Sequence, residues 1–253
     1  MHRVLVTRPA QQAPELERLL AAAGIEAVCV PTVAIDTDSV ASGLRTALGS
    51  LDGAAWLVIT SQNGAHAVAE RLAAAHHGVP PSTRVAAVGP ATATALTSSG
   101  IAVDHVPGEY LTVAIAEGLG DVVGRRVVLA RADAATPELR DALVARGAIV
   151  EEVVAYRTVE GPPAARQALR AALQGRLDAI AFTSGSTVRG LLRLASGLDR
   201  VRAHSLPAFC IGPVTAEVAR QSRFSVAAVA SPHTARALAE TIAAHFATEA
   251  LWT

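Results

Sequence analysis

Short apolar runs recur along the chain, each bounded by turn formers. Val4-Leu5-Val6, Ala27-Val28-Cys29-Val30, Trp56-Leu57-Val58-Ile59 and Val85-Ala86-Ala87-Val88 open the series. Each has the length and β-branched content of a strand buried on both faces. Between them the spacing turns helical, from Glu15 through Leu20 towards Gly24, and from Ala65 to Ala75. Gly24 and Gly147 stand where a helix C-terminus takes a left-handed residue. Alternating strands and helices predict an α/β fold with parallel sheets and right-handed crossovers.

The pattern is written twice. An offset of 123 aligns Arg3-Val4 with Arg126-Val127, Arg8 with Arg131, and Pro14-Glu15-Leu16 with Pro137-Glu138-Leu139. It also aligns Thr60-Ser61 with Thr183-Ser184, and Gly89-Pro90-Ala91-Thr92-Ala93 with Gly212-Pro213-Val214-Thr215-Ala216. One constant offset over more than a hundred residues points to a duplication. Two similar lobes are predicted, each a parallel sheet flanked by helices. Both repeats break after their opening strand-helix-strand, at Pro31 to Ser39 and at Tyr156 to Pro163. Turn formers at both places suit two linkers through which the chain crosses between lobes.

Composition narrows the class. Of 253 residues, 51% are hydrophobic and 17% charged, which suits a large buried core and excludes a disordered chain. No apolar run approaches the length of a membrane span. The apolar stretch near the N-terminus is too short for the core of a signal peptide, so a cytoplasmic location is expected. Acidic and basic residues balance at 22 each, and every basic residue is Arg. No basic stripe marks a nucleic-acid surface. Cys29 and Cys210 sit in apolar runs and are expected to be buried small hydrophobes, since two cysteines make neither a disulfide framework nor a four-ligand metal site. His76-His77 reads as a solvated helix end, and Glu151-Glu152 as partly exposed acids on a strand edge.

Ligands of open parallel sheets bind beyond the carboxyl ends of strands. The repeated polar motifs fall there. Thr7-Arg8-Pro9, Thr60-Ser61-Gln62-Asn63 and Gly89-Pro90-Ala91-Thr92 follow strands in the first repeat. Arg131, Thr183-Ser184-Gly185-Ser186 and Gly212-Pro213-Val214-Thr215 follow them in the second. Each precedes a helix, where free N–H groups and the helix dipole favour anions. Ser61, Ser184, Thr92 and Thr215 could each be a plain N-cap. Their repetition at equivalent strand ends favours a ligand with several carboxylates or phosphates, held in one cleft between facing lobes. No phosphate-binding loop, nucleophile elbow, metal cluster or recurring carboxylate pair is present. Positioning and hydrogen bonding are therefore left to carry any chemistry.

In order and spacing, Val4-Leu5-Val6-Thr7-Arg8-Pro9, Thr60-Ser61-x-Asn63, Val88-Gly89-Pro90-x-Thr92-Ala93, Val154-Ala155-Tyr156-Arg157 and Ile211-Gly212-Pro213-x-Thr215-Ala216 resemble the uroporphyrinogen-III synthase family. The likeness runs from residue 3 to about 245. It implies two flavodoxin-like lobes, one of residues 1–33 and 160–253, the other of 38–156, with linkers about 34–37 and 157–159. It implies cyclisation of hydroxymethylbilane, a linear tetrapyrrole with eight carboxylates, with ring D inverted and water lost. The family route runs through an azafulvene and a spiro intermediate and uses no cofactor and no metal.

The same resemblance gives Tyr156 the place beside the leaving hydroxyl. It also matches Ser61, Thr92, Ser184 and Thr215 to donors around the macrocycle. From the repeated strand ends themselves, Arg8, Thr60, Asn63, Gly89, Arg131, Thr183, Ser186 and Gly212 are expected to line the substrate with them. Expected partners are this one small molecule and a transient contact with hydroxymethylbilane synthase, with no nucleic acid or membrane, and the chain is expected to be a monomer. The alternative is a non-catalytic module of the same fold that senses tetrapyrroles. Two departures stand out. Ala132-Asp133-Ala134-Ala135-Thr136-Pro137 replaces a stretch where many bacterial members carry a second basic residue and glycines. Arg223 replaces a usual glycine whose repeat partner is Gly100.

The repeat also isolates Tyr156, whose partner is Val33. A reaction that loses hydroxide from one end of its substrate needs one asymmetric proton donor. A phenol, which ionises near pH 10, keeps its proton at neutral pH.

Overall fold

The computed structural model describes residues 1–108 and 112–249. In chain order the elements are β1 (Arg3–Val6), α1 (Ala13–Ala22), β2 (Glu26–Cys29), β3 (Val33–Asp36), α2 (Ala41–Gly49), β4 (Ala54–Ile59), α3 (Gln62–Ala74), β5 (Arg84–Ala87), α4 (Pro90–Ser98) and α5 (Thr112–Gly118). There follow β6 (Arg126–Ala132), α6 (Glu138–Ala145), β7 (Ile149–Glu160), α7 (Arg166–Gln174), β8 (Ala179–Phe182), α8 (Gly185–Leu194), α9 (Leu198–Ser205), β9 (Ala208–Cys210), α10 (Pro213–Gln221), β10 (Val226–Val229) and α11 (Ala235–Glu249).

The chain forms two units. The first comprises Met1–Ala34 and Val159–Thr253; the second is Ile35–Thr158. The first is therefore assembled from two separated stretches of chain.

In the first unit the sheet runs β10-β9-β8-β1-β2, with every neighbouring pair parallel. Numbered within the unit this is the 2-1-3-4-5 order of a flavodoxin-like sheet, whose switch point lies between β1 and β8. The apolar runs of β1 and β8 are fully buried because helices cover both faces. Leu5, Ile180 and Phe182 pack on one face, while Val4, Val6 and Ala181 pack on the other against Leu16, Leu20 and Leu238.

The second unit has the order β3-β7-β6-β4-β5. Its four strands β7, β6, β4 and β5 are parallel. They are the repeat counterparts of β2, β1, β8 and β9. The counterpart of β10 shrinks to one bridge, Ala86 with His105. On β6, Val128 and Ala130 pack with α3 and α4, whereas Val127 and Leu129 pack with α5 and α6.

Gly24 and Gly147 adopt φ of +73° and +81° at their helix ends, as the pattern predicts. Arg223 keeps the left-handed turn of its partner Gly100, with φ of +66° against +79°. The duplication has preserved the bend there and not the residue. His76 and His77 are exposed just past α3.

One expectation fails. Cys29 is exposed, while Cys210 is fully buried and its thiol is pushed up to about 11 by that burial. The reason is strand position. Cys29 ends β2, an edge strand, and apolar residues there are covered less completely than those of β9 in the interior of the sheet.

Candidate active site

In the second unit β4 ends at Ile59, and Ser61 turns the chain into α3. Ser61 is extended, and its hydroxyl accepts the N–H of Gly64 at 3.1 Å, which is N-cap geometry. The same hydroxyl donates to Tyr156 Oη, also at 3.1 Å. Thr60 precedes the cap and Asn63 stands in the first turn of α3.

Tyr156 reaches Ser61 because β7 is bulged. Arg131 is opposite Val154, but Ala132 is opposite Tyr156, so Ala155 is one residue too many. Ala155 and Tyr156 consequently pack on the same face, with Leu57, Ile59 and Ala130. With Ala155 in regular register instead of bulged, alternation from Val150 would send Tyr156 to the face that Val150 takes. The ring is buried, with 7% of its surface exposed.

Gly64 is needed for close approach. A Cβ there would lie 3.2 Å from Ser61 Oγ and 3.3 Å from Ile59 Cγ2.

Arg131 does not join this group. It has the parity of Val127 and Leu129 and so faces α6, opposite Tyr156. Its guanidinium is 4% exposed, donates to Glu152 at 2.7 Å and donates to the carbonyl of Thr136. A hydrogen bond from Thr136, with Arg131 nearby, holds the Glu138 carboxyl below the usual range. Two acids thus balance one buried cation. Its geometry serves the unit's own ion pairs and turns its donors away from the face of Tyr156. Glu151 and Glu152 are partly exposed and paired, Glu151 with Arg126 at 2.7 Å.

Gly89 caps α4, with Pro90 in the first helical position, and Thr92 sits two residues further on. Gly212, Pro213 and Thr215 repeat that arrangement on α10. Thr92 and Thr215 are therefore not N-caps; a glycine holds the cap in each helix. Both threonines are buried, at 4% and 6% exposure, and neither hydroxyl has a hydrogen-bond partner among the described residues. Each hydroxyl oxygen nonetheless keeps some access to solvent. Each stands in the first turn of its helix, where a group that accepts hydrogen bonds is favoured.

In the first unit Ser184 caps α8 in a reciprocal capping box with Thr187, and its Oγ lies 2.8 Å from Ser186 Oγ. Thr183, Ser184 and Ser186 are all part-exposed. Arg8 follows β1 and pairs with Glu15 of α1 at 3.4 Å, a looser bond than that of Arg131. Thr7 is spent on the backbone, donating to the Ala181 carbonyl at 2.8 Å.

His233 lies beside the glycine cap of α10, a neighbour that the motif pattern misses. It follows β10, and its ring lies 3.2 Å from where a Cβ on Gly212 would be. Its Nδ1 is 3.0 Å from the Ala230 carbonyl. A carbonyl only accepts, so Nδ1 carries a proton in this contact. Its repeat partner is Tyr110, outside the described residues, so symmetry gave no signal. The only signal in the chain is a His in a turn after a strand.

Among the described residues no cluster of three or more His, Cys, Asp or Glu could hold a metal, and no helix is long and apolar enough to cross a membrane.

Comparison with known proteins agrees with this geometry. A family model described as uroporphyrinogen-III synthase HemD matches residues 14–240. A uroporphyrinogen-III synthase of Synechococcus elongatus is 33% identical over 221 residues, covering 84% of this chain and 83% of that protein. A mutant uroporphyrinogen III synthase structure from Thermus thermophilus superposes with a TM-score of 0.64 at 21% identity, over 98% of this chain and 100% of that one. The synthetase structure from Helicobacter pylori gives 0.62 at 15% identity, over 97% and 100%. The two structures share the α/β fold with parallel sheets flanked by helices, and the family match extends over most of the chain. By the match of its residues 14–240 and by its likeness to a curated relative, this chain belongs to the uroporphyrinogen-III synthase family.

Proposed function

We propose that the chain closes hydroxymethylbilane to uroporphyrinogen III, with ring D inverted and water lost, and that Tyr156 assists the departing hydroxyl. The observation that carries this reading is the Tyr156–Ser61 pair at 3.1 Å, where the pairing of β7 with β6 ends and just past the carboxyl end of β4. It joins a tyrosine whose repeat partner is Val33 to a cap that both repeats carry.

A phenol donates a hydrogen bond to the leaving oxygen as the carbon–oxygen bond breaks, and the pyrrole nitrogen supplies the electron pair that forms the azafulvene. Attack by the substituted carbon of ring D then gives the spiro intermediate. In this proposal the other residues bind and orient. The unpartnered hydroxyls of Thr92 and Thr215 and the first-turn N–H groups of α4 and α10 donate to substrate carboxylates. So do the part-exposed Thr60, Thr183, Ser184 and Ser186, with Asn63 and Arg8 at the margins. The glycine caps Gly89 and Gly212 let a carboxylate reach the backbone. The same proposal has the chain act as a monomer in the cytoplasm, receiving its labile substrate from hydroxymethylbilane synthase by transient contact.

The test is product identity. With fresh hydroxymethylbilane, chromatography should give isomer III, where the unaided reaction gives isomer I. Tight binding of the bilane with only isomer I formed would sink the enzymatic reading and favour a sensing module.

A further inference from the structure

We propose that Ser61 is a positioning residue, whose hydroxyl turns the phenolic proton of Tyr156 towards the substrate. The inference rests on the acid role given to Tyr156 above. It assigns Ser61 a task other than holding a carboxylate.

The argument is one of donors and acceptors. A serine hydroxyl has one proton and two lone pairs. The N–H of Gly64 occupies a lone pair of Ser61 at 3.1 Å. The proton of Ser61 points at Tyr156 Oη, also at 3.1 Å. Tyr156 is thus an acceptor in this pair, and among the described residues its own proton has no acceptor. Reversed, the bond would bury that proton against Ser61, and the phenol would have nothing to give to the departing oxygen.

The other repeat supplies a control within the molecule. Ser184 caps α8 as Ser61 caps α3, and accepts the N–H of Thr187 at 3.2 Å. Its free side meets Ser186 instead of a phenol, and the repeat partner of Tyr156 is Val33. Capping is therefore common to both repeats. The link to a phenol occurs only where the repeat carries its asymmetric tyrosine. Two local features maintain that link: the bulge at Ala155 aims the ring, and Gly64 lets the cap close tightly.

The experiment uses the full chain, steady-state kinetics of isomer III formation, and thermal unfolding of each variant. Ser61→Ala should lower kcat roughly 3- to 10-fold with KM little changed, the range of one ordinary hydrogen bond acting in the transition state. Ser61→Thr keeps the hydroxyl and should recover most of the kcat lost in Ser61→Ala, a rescue that a purely steric role would not give. Ser61→Asp separates the two roles. A carboxylate still caps α3, so stability should hold. It cannot donate, and it draws the phenolic proton inward, so kcat should fall at least as far as in Ser61→Ala.

In a Tyr156→Phe background, Ser61→Ala should add less than roughly 2-fold, because the group it orients is gone. A stable Ser61→Asp variant with wild-type kcat would overturn the inference. So would a full Ser61→Ala loss on top of Tyr156→Phe, and that cycle decides alone if Ser61→Asp does not fold. Wild-type turnover by Tyr156→Phe would remove the acid role itself, and this inference with it. An impaired Tyr156→Phe beside an unimpaired Ser61→Asp would remove this inference only.

Discussion

Arg131 and Arg8 are repeat partners, and the structure gives them opposite energetics. Replacing Arg131 by Met keeps the aliphatic volume and removes the charge. The lost interactions are a charge-assisted bond to Glu152 at 2.7 Å and a bond to the Thr136 carbonyl. Hydrogen bonds to charged groups contribute about 1.5–3 kcal/mol each. Two features pull the cost down. Glu152 is 38% exposed and regains water, and Arg140 lies 3.9 Å from its other oxygen. A net loss of about 2 kcal/mol is expected, near the lower limit for a charged bond. For Arg8→Met the pair is 3.4 Å long and Glu15 is 58% exposed, so no more than about 1 kcal/mol is at stake. Denaturant unfolding should rank the two variants in that order. Kinetics should rank them the other way. Arg131→Met should leave KM unchanged, whereas Arg8→Met should raise it several-fold, because Arg8 can leave a loose partner for a carboxylate. A stable Arg131→Met protein with a raised KM would refute the reasoning and return Arg131 to the substrate.

Three further outcomes are expected. Tyr156→Phe should lower kcat about 10- to 100-fold with KM nearly unchanged, the lower part of the range for a general acid; wild-type turnover would take Tyr156 out of the mechanism. Gly64→Ala brings a Cβ to 3.2 Å from Ser61 Oγ, while alanine raises helix propensity by about 1 kcal/mol, so melting should change little and kcat should fall; unaltered kcat would show that the cap yields without moving Tyr156. A thiol reagent at pH 8 should modify Cys29 in the native protein and spare Cys210, whose buried thiol ionises only near 11; mass spectrometry of digests distinguishes them, and equal labelling would contradict the burial.

Much of the fold was legible because strands covered on both faces leave uninterrupted apolar runs. Val4-Leu5-Val6 and Trp56-Leu57-Val58-Ile59 could hardly be anything else. The strand ends were legible for a related reason: polar residues return where the sheet stops. What escaped depends on partners that the linear pattern does not contain. Cys29 looks as apolar in context as Cys210, and only its place at a sheet edge exposes it. Tyr156 reaches Ser61 through a register slip between β6 and β7, a property of two strands at once. The parity of Arg131 with Val127 sets it on the face of α6, and its repeat kinship with Arg8 hides that difference in partners. His233 was invisible because what it packs against is a glycine in another element.

The interrupted first unit has a consequence for synthesis. Its strand β1 pairs with β2 on one side and with β8 on the other. All of Ile35–Thr158 must leave the ribosome before β8 exists. At about 5–20 residues per second, those 124 residues take roughly 6 to 25 s. During that interval the second unit, continuous in the chain, can complete its own sheet. Leu5 and its neighbours wait beside an unpaired edge, the kind of surface that joins other chains. Newly made protein is therefore most vulnerable to aggregation while its N-terminal strand lacks a partner, and a chaperone that shields about thirty N-terminal residues would protect it at that stage.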